Sequence, residues 1–344
     1  MASLHSSSTS RIVWKWKSNT QPWSNVEPDT WEQYSDIENY MIENAYKKNE
    51  SQVQLDHFWI DFNNQIQIKI DNPNKKRPIK REIMHRSNND IREQRFTMEQ
   101  PKLDYKSLNM TDPFRSFVQN SGCRLLPDDK INDEWIEKAA HGIETEGTKL
   151  GKMLEAQCIA NELRNMKHKS KNEILECCVG LYTAESFLYK LINKVMREAD
   201  MCKGMLLRVE DREYGKTLGP YCGLLEKYIH DSPKQQDITV YRCATLTNEM
   251  IHDYKENIGR LAWWDSFSST TKNKNKAFEF GGNCLFVIYI PRGSNFSGVD
   301  ISSLSEYPGE EEILLQPAIR MSIKKVEYDL NINKHIINLE LSSC

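Results

Sequence analysis

The chain has 344 residues, of which 39% are hydrophobic and 28% charged, and its formal net charge is -3. This length suffices for two domains of ordinary size. A charge so close to balance gives no support for a nucleic-acid partner. No apolar run approaches the ~20 residues of a membrane span and the amino terminus lacks a signal-peptide core, so no membrane association is expected.

The nine cysteines are an odd number and include no Cys-x-x-Cys pair. That pattern favours free thiols over disulfides or a zinc site. Free thiols persist in reducing compartments. We therefore expect a cytoplasmic or nuclear protein that is not secreted, with no bound metal.

Composition divides the chain into four parts. Residues 1–10 are predicted to be disordered, and residues 11–84 form a first domain rich in aromatic side chains. Residues 85–121 are polar, contain prolines and show no apolar period, which predicts a linker. Residues 122–344 form the second domain.

The first domain combines a helix with a hairpin. Asp36 to Lys48 has amphipathic spacing after an aspartate cap, which predicts a helix. His57 to Ile70 contains two short strand patterns around Asn63-Asn64, the second with apolar residues at every other position. The expected fold of this domain is therefore small and α+β.

Four segments of the first domain, in their order and spacing, resemble a WWE domain: Trp14-Lys-Trp16, Trp31-Glu-Gln-Tyr34, the hairpin, and the basic run Lys75 to Glu82. The resemblance implies binding of poly(ADP-ribose) or iso-ADP-ribose, with Trp16, Gln67 and Arg77 at the positions of the family's ligand pocket. Aromatic faces suit an adenine, and the basic run suits phosphates. Trp16 and Phe58 replace tyrosines of the binding members, so a structural or protein-binding role remains the alternative.

The second domain begins with helices and continues with strands. Asn132 is predicted to cap a helix that starts Asp-Glu-Trp-Ile, and glycines at 142, 147 and 151 predict a break before Lys152 to Met166. Two further helices are predicted at Glu185–Glu198 and Tyr221–Ile229, and four strands at Ile238–Cys243, Cys284–Ile290, Glu312–Leu315 and Ile319–Tyr328. Helices first and strands second indicate an α+β domain with an antiparallel sheet.

Three polar signals lie among these strands. The first is Glu310-Glu-Glu312, which follows a Pro-Gly turn and precedes an apolar run. A strand starting at that turn would place Glu310 and Glu312 on one face, where their charges repel each other. The alternative is a solvated acidic loop. Arg242 inside a strand requires an anionic partner from the protein or a ligand. The hydroxyl run Ser268 to Thr271 is the third signal, and by itself it could be a turn.

The order of these signals, with Phe267-Ser-Ser-Thr-Thr, Phe278-Glu-Phe-Gly-Gly and Tyr307-Pro-Gly-Glu-Glu-Glu-Ile-Leu, resembles the arginine-serine-glutamate class of mono-ADP-ribosyltransferases, which includes ecto-ADP-ribosyltransferases and iota toxin. By motif position, Arg242 binds NAD, Ser269 opens the hydroxyl motif, Glu310 is the first glutamate and Glu312 the catalytic one. Thr271 replaces the commoner serine and Cys243 replaces a glycine. The related histidine class is disfavoured because no histidine lies near Arg242.

The chemistry of NAD cleavage requires these residue types. Nicotinamide leaves as a neutral amine, so the barrier lies in an oxocarbenium-like ribose that a fixed carboxylate stabilises. We assign that role to Glu312, pyrophosphate binding to Arg242, and positioning of the ribose to Ser269 with support from Thr271. An arginine acceptor needs a base, and Glu310 is placed to act as one.

The predicted function is transfer of ADP-ribose from NAD to protein arginine by a metal-independent transferase that carries a WWE domain. Phe280 and Tyr307 are candidates for packing on nicotinamide or substrate, although ordinary core packing explains both equally well. An NAD glycohydrolase and a catalytically inactive ADP-ribose-binding module are the alternative functions.

Overall fold

The computed structural model describes residues 10–85, 92, 131–198, 209–235, 237–294 and 298–342. The predicted disordered residues 1–9 lie outside this part, while Ser10 begins the first strand. Most of the predicted linker also lies outside it, apart from His85, which ends a strand, and Arg92. The described chain forms two sheets, one of six strands and one of eight.

The first domain consists of a six-stranded sheet and one helix. Its elements are β1 Ser10–Lys17, β2 Trp31–Gln33, α1 Asp36–Lys47, β3 Gln52–Gln54, β4 Phe58–Asp61, β5 Ile66–Lys69 and β6 Asn72–His85. The predicted hairpin is β4–β5. The aspartate cap is wrong by one residue, because Ser35 caps α1 in a reciprocal pair with Glu38, the arrangement that satisfies two amide groups at once. Trp14, Ile42 and Ile60 pack in the core of this domain.

The second domain starts with a helical layer. It comprises α2 Asp133–Lys149, α3 Met153–Arg164, α4 Lys171–Thr183, α5 Phe187–Glu198 and α6 Val209–Asp231. The side chain of Asn132 accepts from the Trp135 amide at 3.0 Å and caps α2 as predicted. The chain turns between α2 and α3 at Gly151, which has a φ of +68°, a conformation that glycine adopts without strain.

The eight-stranded sheet follows. Its strands and the helices between them are β7 Ile238–Ala244, α7 Asn248–Glu256, β8 Leu261–Trp264, β9 Ser268–Thr271, α8 Lys274–Glu279, β10 Cys284–Ile290, β11 Gly298–Asp300, β12 Glu312–Leu315, β13 Ile319–Asp329 and β14 Lys334–Leu341. The spatial order is β11-β12-β9-β7-β10-β14-β13-β8. All ladders are antiparallel except β10–β14, which is parallel. The predicted α+β fold class is confirmed. No helix of the described residues is long and apolar enough to cross a membrane.

The first domain docks against the helices of the second. Ile37 of α1 is fully buried among the apolar side chains of α2 to α6. The Asp36 amide donates to the Glu185 carbonyl at 2.9 Å, and the Glu185 amide donates to the Asp36 carboxylate at 2.6 Å. The Asp56 carboxylate accepts from two amides of the first turn of α3 at 2.6 and 3.1 Å. The two domains are therefore held together by buried apolar contact and by charge at helix termini.

Candidate functional site

Three neighbouring strands carry most of the predicted catalytic residues. Glu312 of β12 pairs with Thr271 of β9, Leu314 pairs with Ser269, and Tyr241 of β7 pairs with Thr271. Residues that pair directly share a face of the sheet, so both hydroxyls lie on the face of Glu312. All three polar side chains are buried. The hydroxyl run is therefore part of a strand and not a turn.

Arg242 follows Tyr241 in β7, the strand next to β9, and is buried. Its Nη1 donates to the carbonyl oxygen of Ser269 at 2.9 Å. That bond fixes the guanidinium against β9. Ser269, Thr271 and Glu312 thus share one face of β9 and β12, and Arg242 of β7 contacts β9 through the Ser269 carbonyl.

The predicted strand from Glu310 is wrong in its first two residues. Pro308–Glu310 form a single 3-10 turn, Glu311 has left-handed torsions of φ 49° and ψ 47°, and β12 begins at Glu312. The Glu311 carboxylate turns outward and accepts from Asn273 Nδ2 at 3.1 Å. Glu310 and Glu312 are both fully buried, so the solvated acidic loop is also wrong.

The two buried glutamates face the guanidinium of Arg92. Arg92 Nη2 lies 2.6 Å from Glu310 Oε2 and 3.8 Å from Glu312 Oε2. The Arg92 Nε and backbone amide both donate to Glu310 Oε1, at 3.1 and 2.9 Å. A forked guanidinium on one carboxylate is the strong, bidentate form of this ion pair. Two repelling carboxylates are therefore compensated by one shared cation.

Tyr307 and Thr183 complete the surroundings of this arginine. The Arg92 guanidinium carbon lies 4.1 Å from the centre of the Tyr307 ring, and Nη1 donates to the carbonyl of Thr183. Burial by itself would lower the pKa of Arg92, but the charge and hydrogen bonds of Glu310 outweigh it and raise that pKa above its ordinary value. Arg92 is accordingly a permanent cation at this site.

The Tyr307 side chain also contacts the first domain. Its hydroxyl donates to Asp36 Oδ1 at 3.0 Å. The guanidinium of Arg11 lies over the Tyr307 ring, with its carbon 4.8 Å from the ring centre. Burial, and the charge of Asp36, raise the pKa of Tyr307. The predicted contact of this ring with nicotinamide or substrate remains a prediction.

Phe280 lies at the end of α8 and is almost fully buried. The two glycines that follow have positive φ, and a Cβ on Gly282 would meet the backbone of Ala244 at 2.5 Å. The close approach ties the Phe-Gly-Gly segment to the end of β7, the strand of Arg242. The predicted contact of Phe280 with NAD remains a prediction.

The three residues of the predicted WWE pocket are neighbours. Gln67 of β5 pairs with Arg77 of β6, and the Arg77 guanidinium carbon lies 5.3 Å from the centre of the Trp16 ring. Arg77 Nη1 donates to the carbonyls of Lys17 and Asn19 at 2.8 and 2.7 Å. The buried Gln67 accepts from the Tyr34 hydroxyl at 2.8 Å. Binding of ADP-ribose here remains a prediction.

Sequence reasoning missed Arg92, Thr183 and Asp36 as parts of the site. Arg92 stands in a polar stretch without periodicity, and 218 positions separate it from Glu310. Such a contact leaves no local signal. Within the described ranges, no group of three or more His, Cys, Asp or Glu side chains is arranged to hold a metal ion.

Comparison with family models gives two matches. The model described as ADP-ribosyltransferase exoenzyme matches residues 160–342, and the WWE domain model matches residues 12–81. No curated protein matches the chain.

Several solved structures match at low identity. The ADP-ribosyltransferase HopU1 of Pseudomonas syringae pv. tomato is 21% identical over 70% of this chain and 100% of that chain, with a TM-score of 0.41. Exoenzyme S from Pseudomonas aeruginosa is 17% identical over 60% and 88%, with a TM-score of 0.40. C3stau2 from S. aureus, solved with NAD, is 19% identical over 58% and 96%, with a TM-score of 0.39.

Proposed function

Because this chain belongs to the ADP-ribosyltransferase exoenzyme family, we propose that it transfers ADP-ribose from NAD to arginine side chains of proteins and releases nicotinamide. The use of NAD as a co-substrate follows from the family. The arginine acceptor is supported by one observation, the bidentate binding of a guanidinium by Glu310 with Glu312 as its neighbour. A site that already accommodates one guanidinium has the charge and shape to accept another.

In the proposed reaction the bond from the ribose C1′ to nicotinamide breaks, and its electron pair leaves with the neutral nicotinamide. The carboxylate of Glu312 stabilises the positive charge that develops on the ribose. Arg242 would bind a phosphate of NAD beside the Ser269 strand, where its planar fork suits phosphate oxygens.

The second half of the reaction is attack by the acceptor. A guanidinium has a pKa above ~12 and is a weak nucleophile until a base removes its proton. Glu310 contacts a guanidinium nitrogen at 2.6 Å, the distance at which a carboxylate takes a proton during attack. Glu310 is therefore assigned as the base and Glu312 as the group that acts on the ribose.

Transfer of labelled ADP-ribose from NAD to agmatine, a small guanidine acceptor, tests this assignment. Glu312→Gln should lower transfer by about 10²–10³ because it removes the electrostatic stabilisation of the ribose cation. Glu310→Gln should lower transfer by about 10²–10⁴ while NAD hydrolysis continues. Thermal midpoints of both variants check that the chain remains folded.

Two outcomes would replace the proposal. NAD hydrolysis by the unaltered protein without any agmatine product would indicate an NAD glycohydrolase. Absence of NAD consumption together with binding of ADP-ribose would indicate an inactive binding module.

We further propose that the WWE domain binds an ADP-ribose unit of poly(ADP-ribose) in front of Trp16, Gln67 and Arg77. Support comes from the stacked Trp16 and Arg77 side chains, which offer an aromatic face and a cation to one ligand. Calorimetric titration of the full chain with iso-ADP-ribose should give a heat that Arg77→Ala abolishes. No heat with the unaltered chain would leave a structural or protein-binding role.

A further inference from the structure

The chain contains its own arginine at the site of the proposed acceptor. Arg92 is 7% exposed, and its contacts come from segments remote in the sequence. Glu310 binds its fork, the Thr183 carbonyl accepts from Nη1, and the Tyr307 ring lies against its face at 4.1 Å. Three kinds of contact, ionic, hydrogen-bonded and aromatic, hold one guanidinium in a single position.

The position of Arg92 Nη2 has a chemical meaning. This nitrogen lies 2.6 Å from Glu310, the proposed base, and 3.8 Å from Glu312, the proposed ribose-stabilising group. An acceptor nitrogen must contact the base and lie beside the group that contacts the ribose. This is because the nitrogen and the ribose C1′, the two reacting atoms, need to approach within about 3–3.5 Å of each other. Nη2 meets both conditions.

Other paired arginines of the described residues provide a comparison. Arg164 also binds two carboxylates, Glu137 at 2.8 Å and Glu144 at 2.6 Å, but this network joins α2 to α3. Arg81 binds Glu43 within the first domain. An ion pair with two glutamates therefore does not by itself distinguish Arg92 from Arg164. What distinguishes Arg92 is that its two glutamates are Glu310 and Glu312, the proposed catalytic pair.

Building on the proposed function, we propose that Arg92 is an acceptor in cis, so that the protein ADP-ribosylates its own Arg92. A bond forms between Arg92 Nη2 and the ribose C1′ of NAD. The C1′ bond to nicotinamide breaks with its electron pair on the nicotinamide nitrogen. The proton of Nη2 passes to Glu310 and then to water, so no oxidant or further reactant is needed.

Self-transfer and transfer to other proteins compete for one site. While Arg92 occupies Glu310, an external guanidine has to displace it, and the apparent affinity for that guanidine is reduced accordingly. Arg92→Lys keeps a cation beside the two glutamates but removes the acceptor guanidine. This variant should therefore lose self-transfer, and its transfer to agmatine should proceed at lower agmatine concentrations.

The test is incubation of the purified full chain with labelled NAD and no acceptor, followed by peptide mapping. The expected result is ADP-ribose on Arg92, with a labelling rate per molecule that does not change when the protein is diluted. Label at position 92 should fall at least about tenfold in Arg92→Lys. It should be unchanged in the matched variant Arg164→Lys. The control for non-enzymatic reaction of free ADP-ribose is the Glu312→Gln variant, incubated with labelled NAD while unlabelled ADP-ribose is present. Label on Arg92 in that control would come from chemistry that does not need the enzyme.

The outcomes separate this inference from the proposed function. Agmatine transfer by the unaltered chain without label on Arg92 would overturn the inference and leave the proposed function standing. Labelling of Arg92 that slows per molecule on dilution would also overturn it, because transfer would then run between chains. If neither agmatine nor Arg92 is labelled, the proposed function itself fails. Mapping of the unaltered chain decides these cases without any variant.

Discussion

Asp36 is the residue through which we expect the WWE domain to support the transferase site. Its carboxylate, 5% exposed, pairs with Arg11, accepts from the Tyr307 hydroxyl at 3.0 Å and accepts from the Glu185 amide at 2.6 Å. Tyr307 is the residue before the turn that carries Glu310. The change Asp36→Asn therefore tests a contact between two domains and its effect on catalysis.

The structure sets the magnitude. Asparagine retains one oxygen acceptor but loses the charge, so Arg11, whose side chain is 14% exposed, is left buried with no carboxylate at this position. Removal of one partner of a buried ion pair costs about 3–5 kcal/mol. The amide oxygen recovers part of that cost, and Arg11 keeps the face of Tyr307. We therefore expect the free energy of unfolding to fall by about 3 kcal/mol.

Urea unfolding of the full chain measures this loss. With an m-value of about 3 kcal/mol per molar, the midpoint should move down by about 1 M. Transfer to agmatine should fall about tenfold, because Tyr307 and the following turn lose an anchor and small misplacements of catalytic groups are costly. The matched control is Asp71→Asn in the same domain, where the carboxylate is 69% exposed and pairs with a surface lysine.

Two results would refute this reasoning. An Asp36→Asn midpoint equal to that of Asp71→Asn would show that the buried pair contributes no net stability. A reduced midpoint with full transfer at low urea would show that the anchor of Tyr307 does not position the site.

Three further predictions follow from local geometry. Asp56→Ala should lower the free energy of unfolding by about 2 kcal/mol, because two amides at the start of α3 lose their cap; urea unfolding measures it. Gly282→Ala should lower it by at least about 2 kcal/mol and weaken NAD use, because its φ is +89° and the added Cβ would lie 2.5 Å from the Ala244 backbone. Glu137→Gln should make stability less sensitive to acid, because pairing with Arg164 lowers the pKa of Glu137 to about 2.

The sign of the acid effect follows from linkage. A carboxylate whose pKa is depressed by folding contributes stability that is complete above its unfolded pKa of about 4.3 and disappears as the pH falls. The contribution of Glu137 is therefore lost between about pH 4.3 and 2, and the glutamine variant should unfold with less pH dependence in that window. Equal pH profiles for both proteins would contradict this prediction.

For the Asp56 and Gly282 variants, the control is Asp71→Ala, whose urea midpoint should equal that of the unaltered chain.

Much of the sheet was predictable because its strands are short apolar runs with clear ends. Cys284–Ile290 has the predicted bounds, and the strand predicted from Glu310 begins two residues later, at Glu312, and ends at Leu315. The cap of α2 at Asn132 was predictable because a helix cap depends on residues three positions apart. Local rules work where the decisive contacts are local.

The remaining differences have non-local causes. The first turn of α3 is capped by Asp56, about a hundred positions earlier, and its own Lys152 makes no side-chain cap. No sequence pattern around Arg92 identifies it as a site residue. It is identified by its ion pairs with Glu310 and Glu312, which are distant in sequence. Residues of this kind become visible only when the segments that hold them are placed in space.

The left-handed Glu311 connects these points. A non-glycine residue in that conformation costs about 1–2 kcal/mol, and an unbroken strand from Glu310 would have avoided the cost. In such a strand, Glu310 and Glu312 would project in parallel from one face and repel each other. The left-handed residue instead turns Glu310 back so that both carboxylates approach one guanidinium nitrogen, at 2.6 and 3.8 Å. The backbone strain therefore lies beside this ion pair, where the proposed reaction needs two carboxylates near one nitrogen.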